Sequence, residues 1–221
     1  MTDRWVVLDA MGVVFVVGDD TRRLLVPFVR ARVPEARPER IAELYRDASL
    51  GRLAPPDFWN AVGLGHVYPD VQREYLDTQL TLDPWFAPAA ELIARRYRLA
   101  MLSNDVAQWS AYLRRRHRID DLFETCVISG DVGVRKPDPR IYQVLLQRIG
   151  APPADCVFVD DSLSRLAAAA DLGLHTIHFA REDPDPDDPF RPDATVRSFT
   201  ELAAAVERVF PKGTPRATRN P

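Results

Sequence analysis

Short apolar runs that end in small polar or acidic residues recur along this chain and limit the folds that it can adopt. The first run, from Trp5 to Leu8, is followed directly by Asp9. Later runs end at Ser103-Asn104, at Ser129-Gly130-Asp131 and at Asp160-Asp161. Strands of an open parallel sheet deliver their carboxyl ends to one edge, so these side chains are predicted to converge on a single crevice.

Helical patterns separate the apolar runs from Arg98 onward, which is typical of repeated β-α units that feed a parallel sheet. Strands are predicted at residues 5–9, 98–102, 125–129, 156–160 and 174–179. The alternation predicts an α/β fold with a Rossmann-like core of three layers, in which helices cover both faces of a five-stranded parallel sheet.

The segment 19–81 interrupts this alternation, because it contains only helical patterns. It is predicted to form an all-helical cap that follows the first strand and therefore lies over the crevice. The predicted core comprises residues 1–18 and 82–210, and the tail at 211–221 is predicted to be disordered because it has no apolar period. A lid over a polar crevice favours a small-molecule substrate that is held away from water.

Composition argues against several classes of partner. The chain has 221 residues with a net charge of −3 and scattered arginines, so no nucleic-acid-binding face is predicted. No apolar stretch approaches the ~20 residues of a membrane span and no export signal is visible, so a cytoplasmic protein without membrane contact is expected. The sequence leaves the oligomeric state open.

The motifs at the strand ends resemble those of the haloacid dehalogenase superfamily, in the branch with a helical cap inserted after the first motif. In chain order they are VVLDAMGVVF around Asp9, MLSND around Ser103, SGDVGVRKPDPRIY around Lys136, and VFVDDS around Asp160 and Asp161. Any one of these motifs alone is weak, whereas the four in order, each in a strand-loop-helix context, form a specific pattern.

The resemblance implies a phosphatase-like hydrolase in which Asp9 attacks phosphorus and forms an aspartyl-phosphate that water then hydrolyses. The implied substrate is a small phosphorylated metabolite, which the sequence does not identify. The implied phosphate-binding residues are Ser103, Asn104 and Lys136, and Lys136 also assists catalysis. The implied Mg²⁺ site consists of Asp9, the backbone carbonyl of Met11 and Asp161, with Asp160 in support.

Met11 is the main departure from the family pattern. Phosphatases of this family usually carry a second aspartate at this position as general acid and base, and a methionine cannot move a proton. Loss of acid-base help typically costs ~10²–10⁴ in rate, so turnover would be slowed without being prevented. Three alternatives stay open: a substrate with a good leaving group, a carboxylate supplied by Asp19 or Asp20, or a phosphate-binding or regulatory protein with weak or no turnover.

Dehalogenases of the same family also lack the second aspartate, and they attack carbon without a metal. They generally lack an acidic pair in the fourth motif, whereas this chain keeps Asp160-Asp161. Adjacent acids that face Asp9 would repel one another without a cation, which favours Mg²⁺ and phosphoryl chemistry. A 2-haloacid dehalogenase-type hydrolase remains the alternative enzyme.

Some other positions are candidates for contact with substrate. Arg165 stands where relatives often have asparagine, and it is expected to face solvent rather than substrate. Candidates in the predicted cap are Arg22, Arg23, Arg46, Phe58 and Trp59. Most of these cap side chains are expected to belong to the surface or the core of the cap instead.

Overall fold

A computed structural model of the protein describes residues 4–183 and 187–210. The predicted tail at 211–221 lies outside the described residues. Across the two described ranges, none of the helices combines the length and the apolar character that crossing a membrane requires.

One parallel sheet organises the described part of the chain. Its six strands are β1 (Trp5–Leu8), β2 (Arg98–Ser103), β3 (Thr125–Ile128), β4 (Cys156–Asp160), β5 (His175–Phe179) and β6 (Ala194–Val196). The order is β3-β2-β1-β4-β5-β6, and every pairing is parallel, so β1 lies between β2 and β4.

The α/β class and the parallel sheet are confirmed, but the predicted number of five strands is wrong. The additional strand, β6, contains only 3 residues and follows a segment rich in proline and aspartate. A strand this short does not establish a hydrophobic period, so it leaves no clear pattern in the sequence.

Helices occupy the connections between the strands. The described α-helices are α1 (Val26–Arg30), α2 (Pro38–Ala48), α3 (Pro55–Ala61), α4 (Asp70–Gln79), α5 (Phe86–Ala94), α6 (Ala107–Arg116), α7 (Ser129–Val132), α8 (Pro139–Ile149), α9 (Leu163–Ala170) and α10 (Phe199–Val209). The segment predicted as a cap thus contains α1 to α4 and contributes no strand to the sheet. Its status as a separate domain stays a prediction.

Alternate residues of β1 face opposite sides of the sheet, as the two-residue period of a strand requires. Trp5 and Val7 pack in a cluster with residues of α8 and α9, whereas Val6 and Leu8 pack with residues of α5, α6 and α10. Burial on both faces explains why this strand is apolar throughout. The result is a layer of helices on each side of the sheet.

Two backbone stretches connect the helical segment, residues 19–81, to the sheet, and they are hydrogen-bonded to each other. Val16 N donates to Thr81 O at 2.9 Å, and Asp83 N donates to Val14 O at 3.0 Å. Both ends of the segment are therefore held next to the carboxyl end of β1, where Asp9 lies.

Aromatic side chains join the helical segment to α6. The rings of Trp59 and Trp109 stack with their centroids 5.8 Å apart. Both indole N–H groups donate to Oε1 of Gln72, at 3.2 Å and 2.7 Å respectively. Phe58 and Trp59 are fully buried in this cluster, so they belong to the core and do not line an open cleft.

Candidate active site

The sheet order places the strand-end residues side by side. Asp9 N donates to Val159 O at 2.9 Å, which extends the pairing of β1 with β4 by one residue. Leu8 aligns with Met101 of β2, so Ser103 lies at the carboxyl end of the strand on the other side. Asp9 is consequently flanked by residues from both neighbouring strands.

Three of these residues form an acidic cluster. Carboxylate oxygens of Asp9, Asp160 and Asp161 all lie within 4.8 Å of one another. Asp9 and Asp160 are almost completely buried, and Asp161 is partly buried. The structure thus brings together the three carboxylates that the sequence predicted to meet.

Lys136 lies in contact with this cluster. Its ammonium group donates to Asp9 Oδ1 at 2.8 Å, to Asp160 Oδ2 at 2.7 Å and to the backbone carbonyl of Leu102 at 2.8 Å. The side chain is fully buried, and these three bonds use its three donor hydrogens. Lys136 therefore neutralises part of the cluster and fixes the orientation of Asp9.

Arg165 also contacts the cluster, so the expectation that it faces solvent is wrong. Its Nη1 atom lies 3.0 Å from Asp9 Oδ2, 3.3 Å from Asp160 Oδ1 and 3.4 Å from Asp161 Oδ1. The side chain starts from α9, and its four-residue separation from Asp161 allows the two to meet. That spacing was the available signal in the sequence.

Burial and mutual repulsion dominate the electrostatics of the carboxylates. Burial raises the pKa of Asp9 to about 6, with a further rise from Asp160. Burial and then the charges of Asp160 and Asp9 raise the pKa of Asp161 to about 8. Burial also opposes ionisation of Asp160, but the nearby Lys136 and Arg165 outweigh it and lower its pKa. At neutral pH Asp161 is therefore mostly protonated, and Lys136 and Arg165 balance the charges of Asp9 and Asp160.

The other predicted phosphate ligands are Asn104 and Ser103. Asn104 forms hydrogen bonds within the protein, whereas the hydroxyl of Ser103 forms none with the described residues. Asn104 Oδ1 accepts from Lys136 N at 2.8 Å, and Asn104 Nδ2 donates to Lys136 O at 2.9 Å. This pair of bonds positions the backbone that carries Lys136. Ser103 Oγ is buried and has no hydrogen-bond partner among the described residues. Its role as a phosphate ligand stays a prediction.

The loop after β1 packs closely on Asp161. A Cβ atom at Gly12 or at Gly18 would collide with the Asp161 carboxylate, and Gly12 has a φ of +84° that favours glycine. Arg181 holds this loop from the other side, donating to Gly12 O at 2.9 Å and to Val13 O at 2.7 Å. Arg181 was not identified from the sequence, because it lies in no motif.

Asp20 lies two residues beyond that loop and is buried. Burial raises its pKa to about 6, with smaller upward effects from Asp19 and Asp9 and an opposing effect from Arg135. Gly18, two residues before Asp20, packs against Asp161, so the chain passes close to the acidic cluster just before Asp20. Asp20 is thus a carboxylate near the site that is not part of the acidic cluster.

Met11 is nearly buried and belongs to the hydrophobic cluster on the α5, α6 and α10 face of the sheet. Its side chain is therefore a packing group. The backbone carbonyl of Met11 remains the predicted metal ligand.

Comparison with known proteins identifies the family. Residues 7–173 match the model of the haloacid dehalogenase-like hydrolases, which is well over half of the chain. The chain belongs to this family. The match includes the four motifs, from Asp9 to Asp161, and the helical segment between the first two.

The relatives in this family include both dehalogenases and phosphatases. The chain is 31% identical to (S)-2-haloacid dehalogenase 4A of Burkholderia cepacia over 48% of this chain and 46% of that protein. It is 28% identical to a sesquiterpene phosphatase of Aspergillus oryzae over 62% of this chain and 72% of that protein. Several curated relatives, including the dehalogenase, are matched over less than half of their length.

The fold is also found in solved structures. The crystal structure of a phosphatase of this family from Thermococcus onnurineus superposes with a TM-score of 0.71, at 22% identity, over 92% of this chain and 97% of that one. At this identity the likeness concerns the fold. Since both types of enzyme are similar to this chain, its own chemistry has to be inferred from its site residues.

Proposed function

We propose that this hydrolase is a Mg²⁺-dependent phosphatase that acts on a small phosphorylated metabolite through an aspartyl-phosphate on Asp9. The observation that carries this proposal is the group of three carboxylates, Asp9, Asp160 and Asp161, in contact with the buried ammonium of Lys136. A site that only attacked carbon would have no need for this concentration of oxygen ligands.

Asp9 acts as the nucleophile. A carboxylate oxygen forms a bond to phosphorus while the bond from phosphorus to the leaving oxygen breaks, and water later releases phosphate from Asp9. With a pKa of about 6 in this structure, Asp9 is mostly ionised at neutral pH. Lys136 holds Oδ1 at 2.8 Å, which leaves Oδ2 as the oxygen to attack once Arg165 moves from it.

The donor set of the acidic cluster suits Mg²⁺, which prefers carboxylate oxygens. Asp9, Asp161 and the carbonyl of Met11 would hold the ion, with Asp160 in support. When bound, Mg²⁺ supplies charge neutralisation to the phosphoryl oxygens and to the carboxylates. Mg²⁺ in place of the Arg165 guanidinium would balance all three carboxylates together with Lys136, which would favour ionisation of Asp161, whose pKa is about 8 in this structure.

Asp20 is the candidate for the acid and base that Met11 cannot provide. A carboxyl group with a pKa of about 6 exists in both protonation states near neutral pH, which suits proton transfer to a leaving oxygen. Asp20 lies in the chain between α1 and the loop after β1, which packs on Asp161. This position is close to the acidic cluster. Asp19, the other candidate, is exposed.

We expect phosphate release from small phosphate esters, sugar 1-phosphates or acyl phosphates to require Mg²⁺ and to stop when EDTA is added. The physical reason is that the acidic cluster repels a phosphate dianion until a divalent cation neutralises it. The measurement is phosphate release across this panel with Mg²⁺ and with EDTA. Phosphate release that is unaffected by EDTA would contradict the metal-dependent mechanism. Absence of phosphate release from every compound of the panel would contradict the phosphatase proposal.

A second candidate function is metal-free hydrolysis of a 2-haloacid. It is supported by Arg165, which supplies a cation to the acidic cluster without a metal, and by the similarity to the Burkholderia cepacia dehalogenase. The test is chloride release from 2-chloropropionate in the presence of EDTA. Chloride release, together with no phosphate release from any compound of the phosphate panel, would favour this candidate.

Replacing Arg165 with asparagine is expected to tighten Mg²⁺ binding by roughly 10- to 100-fold. A hydrogen bond to a charged group contributes roughly 1.5–3 kcal/mol, and in the parent protein Mg²⁺ has to displace such bonds before it binds. Isothermal titration calorimetry of both proteins with MgCl₂, without substrate, measures the difference.

The matched control for this experiment is Arg148→Asn, since Arg148 contacts the carbonyl of Cys126 and none of the acidic cluster. Its Mg²⁺ affinity should equal that of the parent protein. If Arg165→Asn bound Mg²⁺ no more tightly than the parent, the guanidinium would not compete with the ion, and the charge argument for its displacement would be wrong.

A further inference from the structure

A strongly basic cleft lies next to the acidic cluster. It has a volume of about 480 Å³ and lies between the helical segment and the sheet domain. Its cationic lining residues are Arg46, Arg52, Arg135, Lys136, Arg140 and Arg165. Two of them come from the α2 region, and the other four come from the loops and helices that follow β3 and β4. Cationic side chains from the helical segment and from the elements that follow β3 and β4 therefore line the same cleft.

Part of this positive charge is neutralised by the protein itself, since Lys136 and Arg165 contact the acidic cluster. Asp138 is the one acidic residue among the described lining residues, and it is already paired with Arg140 at 2.7 Å. Arg52 lies 3.7 Å from Asp47. Arg46 and Arg135 form no ion pair with any residue in the described ranges. These two guanidinium groups thus lack a direct ion pair, although the charge of the buried Asp20 acts on Arg135.

Arg135 is the more informative of these two residues because it is partly buried. Its guanidinium donates to Ser49 Oγ and lies 5.9 Å from the ring centroid of Tyr45. Burial lowers the pKa of Arg135, with further lowering by the charges of Arg165 and Arg46 and an opposing effect from Asp20. A buried charge is costly unless it is paired. A bound anion would supply the direct ion pair that Arg135 lacks.

The cleft is continuous with the catalytic residues. Lys136 and Arg165 line it and also contact Asp9, at 2.8 Å and 3.0 Å. A substrate with its phosphate at Asp9 would therefore extend its remaining part along the cleft toward Arg135 and Arg46. Guanidinium groups bind carboxylates and phosphates through paired N–H donors, which makes arginine suited to this task.

We propose that the substrate carries a second anionic group, a phosphate or a carboxylate, which Arg46 and Arg135 bind in this cleft while the first phosphate lies at Asp9. This inference rests on the proposed phosphatase function and narrows its substrate class to doubly anionic small molecules. The arginines act in binding, and the bond to phosphorus is still broken at Asp9.

The kinetic test uses three substrates with one carbon skeleton: propyl phosphate, 3-phosphonooxypropanoate and propane-1,3-diyl bisphosphate. With Mg²⁺, kcat/KM is expected to be roughly tenfold or more higher for at least one doubly anionic substrate than for propyl phosphate. The doubly anionic substrate with the higher kcat/KM shows whether the second group is a carboxylate or a phosphate. Equal values for all three would overturn the inference.

The variants Arg46→Gln and Arg135→Gln are expected to reduce the preference for the doubly anionic substrate. The ratio of its kcat/KM to that of propyl phosphate should fall toward one. The matched control is Arg40→Gln, because Arg40 lies on the same helix as Arg46 but pairs with Glu43 at 3.3 Å outside the cleft. Its ratio should equal that of the parent. A preference that survives in both cleft variants would also overturn the inference.

A binding measurement separates failure of this inference from failure of the phosphatase proposal. Calorimetry with propylphosphonate and propane-1,3-diylbisphosphonate, neither of which has a bond for the enzyme to hydrolyse, compares one anionic group with two. Tighter binding of the bisphosphonate that is lost in Arg46→Gln would support the second-anion site even if no phosphate ester were hydrolysed. Equal affinity, or no binding of either compound, would count against it.

Discussion

Asp9→Asn is expected to abolish phosphate release, with a loss on the order of 10⁴-fold or more, because an amide lacks the anionic oxygen that attacks phosphorus. Lys136 and Arg165 both contact Asp9, so its replacement also removes a negative charge that the two cations hold in place. The measurement is steady-state phosphate release with Mg²⁺ on the best substrate of the panel.

A matched control distinguishes loss of the nucleophile from general damage. Asp131→Asn makes the same chemical change beyond the end of β3, at an exposed residue outside the acidic cluster. Its activity should be close to that of the parent protein. Thermal unfolding of both variants shows whether either one is poorly folded, since Asp9 is buried beside Lys136.

The covalent intermediate provides a more direct test of the same prediction. Acid quenching during turnover, followed by mass spectrometry of the peptide that contains Asp9, should reveal one added phosphoryl group in the parent protein and none in Asp9→Asn. Near-normal turnover by Asp9→Asn, or a phosphoryl group on another residue, would exclude Asp9 as the nucleophile.

Met11→Asp is expected to raise the rate for substrates with poor leaving groups by ~10²–10⁴, the usual value of a positioned general acid. The other elements of the site are already present, since Asp9, Lys136 and the acidic pair lie in contact. Simple alkyl phosphates should gain most, and acyl phosphates, whose leaving group needs little protonation, should gain least. The measurement is kcat/KM across a series of leaving groups.

Met11→Leu is the control for this variant, because Met11 packs in a hydrophobic cluster and any substitution there disturbs it. Asp20→Asn decides the outcome if Met11→Asp brings no gain. A selective loss on poor leaving groups in Asp20→Asn would mean that Asp20 already moves the proton. No change in either variant would contradict an acid-assisted mechanism.

Much of the fold could be predicted from local sequence patterns. Apolar runs separated by helical patterns indicate a parallel sheet, because only that arrangement buries both faces of a strand such as β1 between helices. β6 was missed because its 3 residues are too few to establish a period. Its pairing with β5 depends on the sheet that already exists.

The candidate site could be predicted in part. The meeting of Asp9, Asp160 and Asp161 follows from strand order, since the carboxyl ends of neighbouring parallel strands share one edge. The use of Asn104 to hold the backbone of Lys136 could not be predicted, because it depends on how two loops approach each other. Burial of Asp20 depends in the same way on the path of the helical segment.

Residue types and their spacing along the chain were sufficient to predict the family resemblance, the parallel sheet and the acidic edge of the site. The folded structure was needed to show that Arg165 turns toward the acidic cluster and that Arg46 and Arg135 line the same cleft. The direction of a long side chain is set by the charges and cavities around it, which come from segments far away in the sequence.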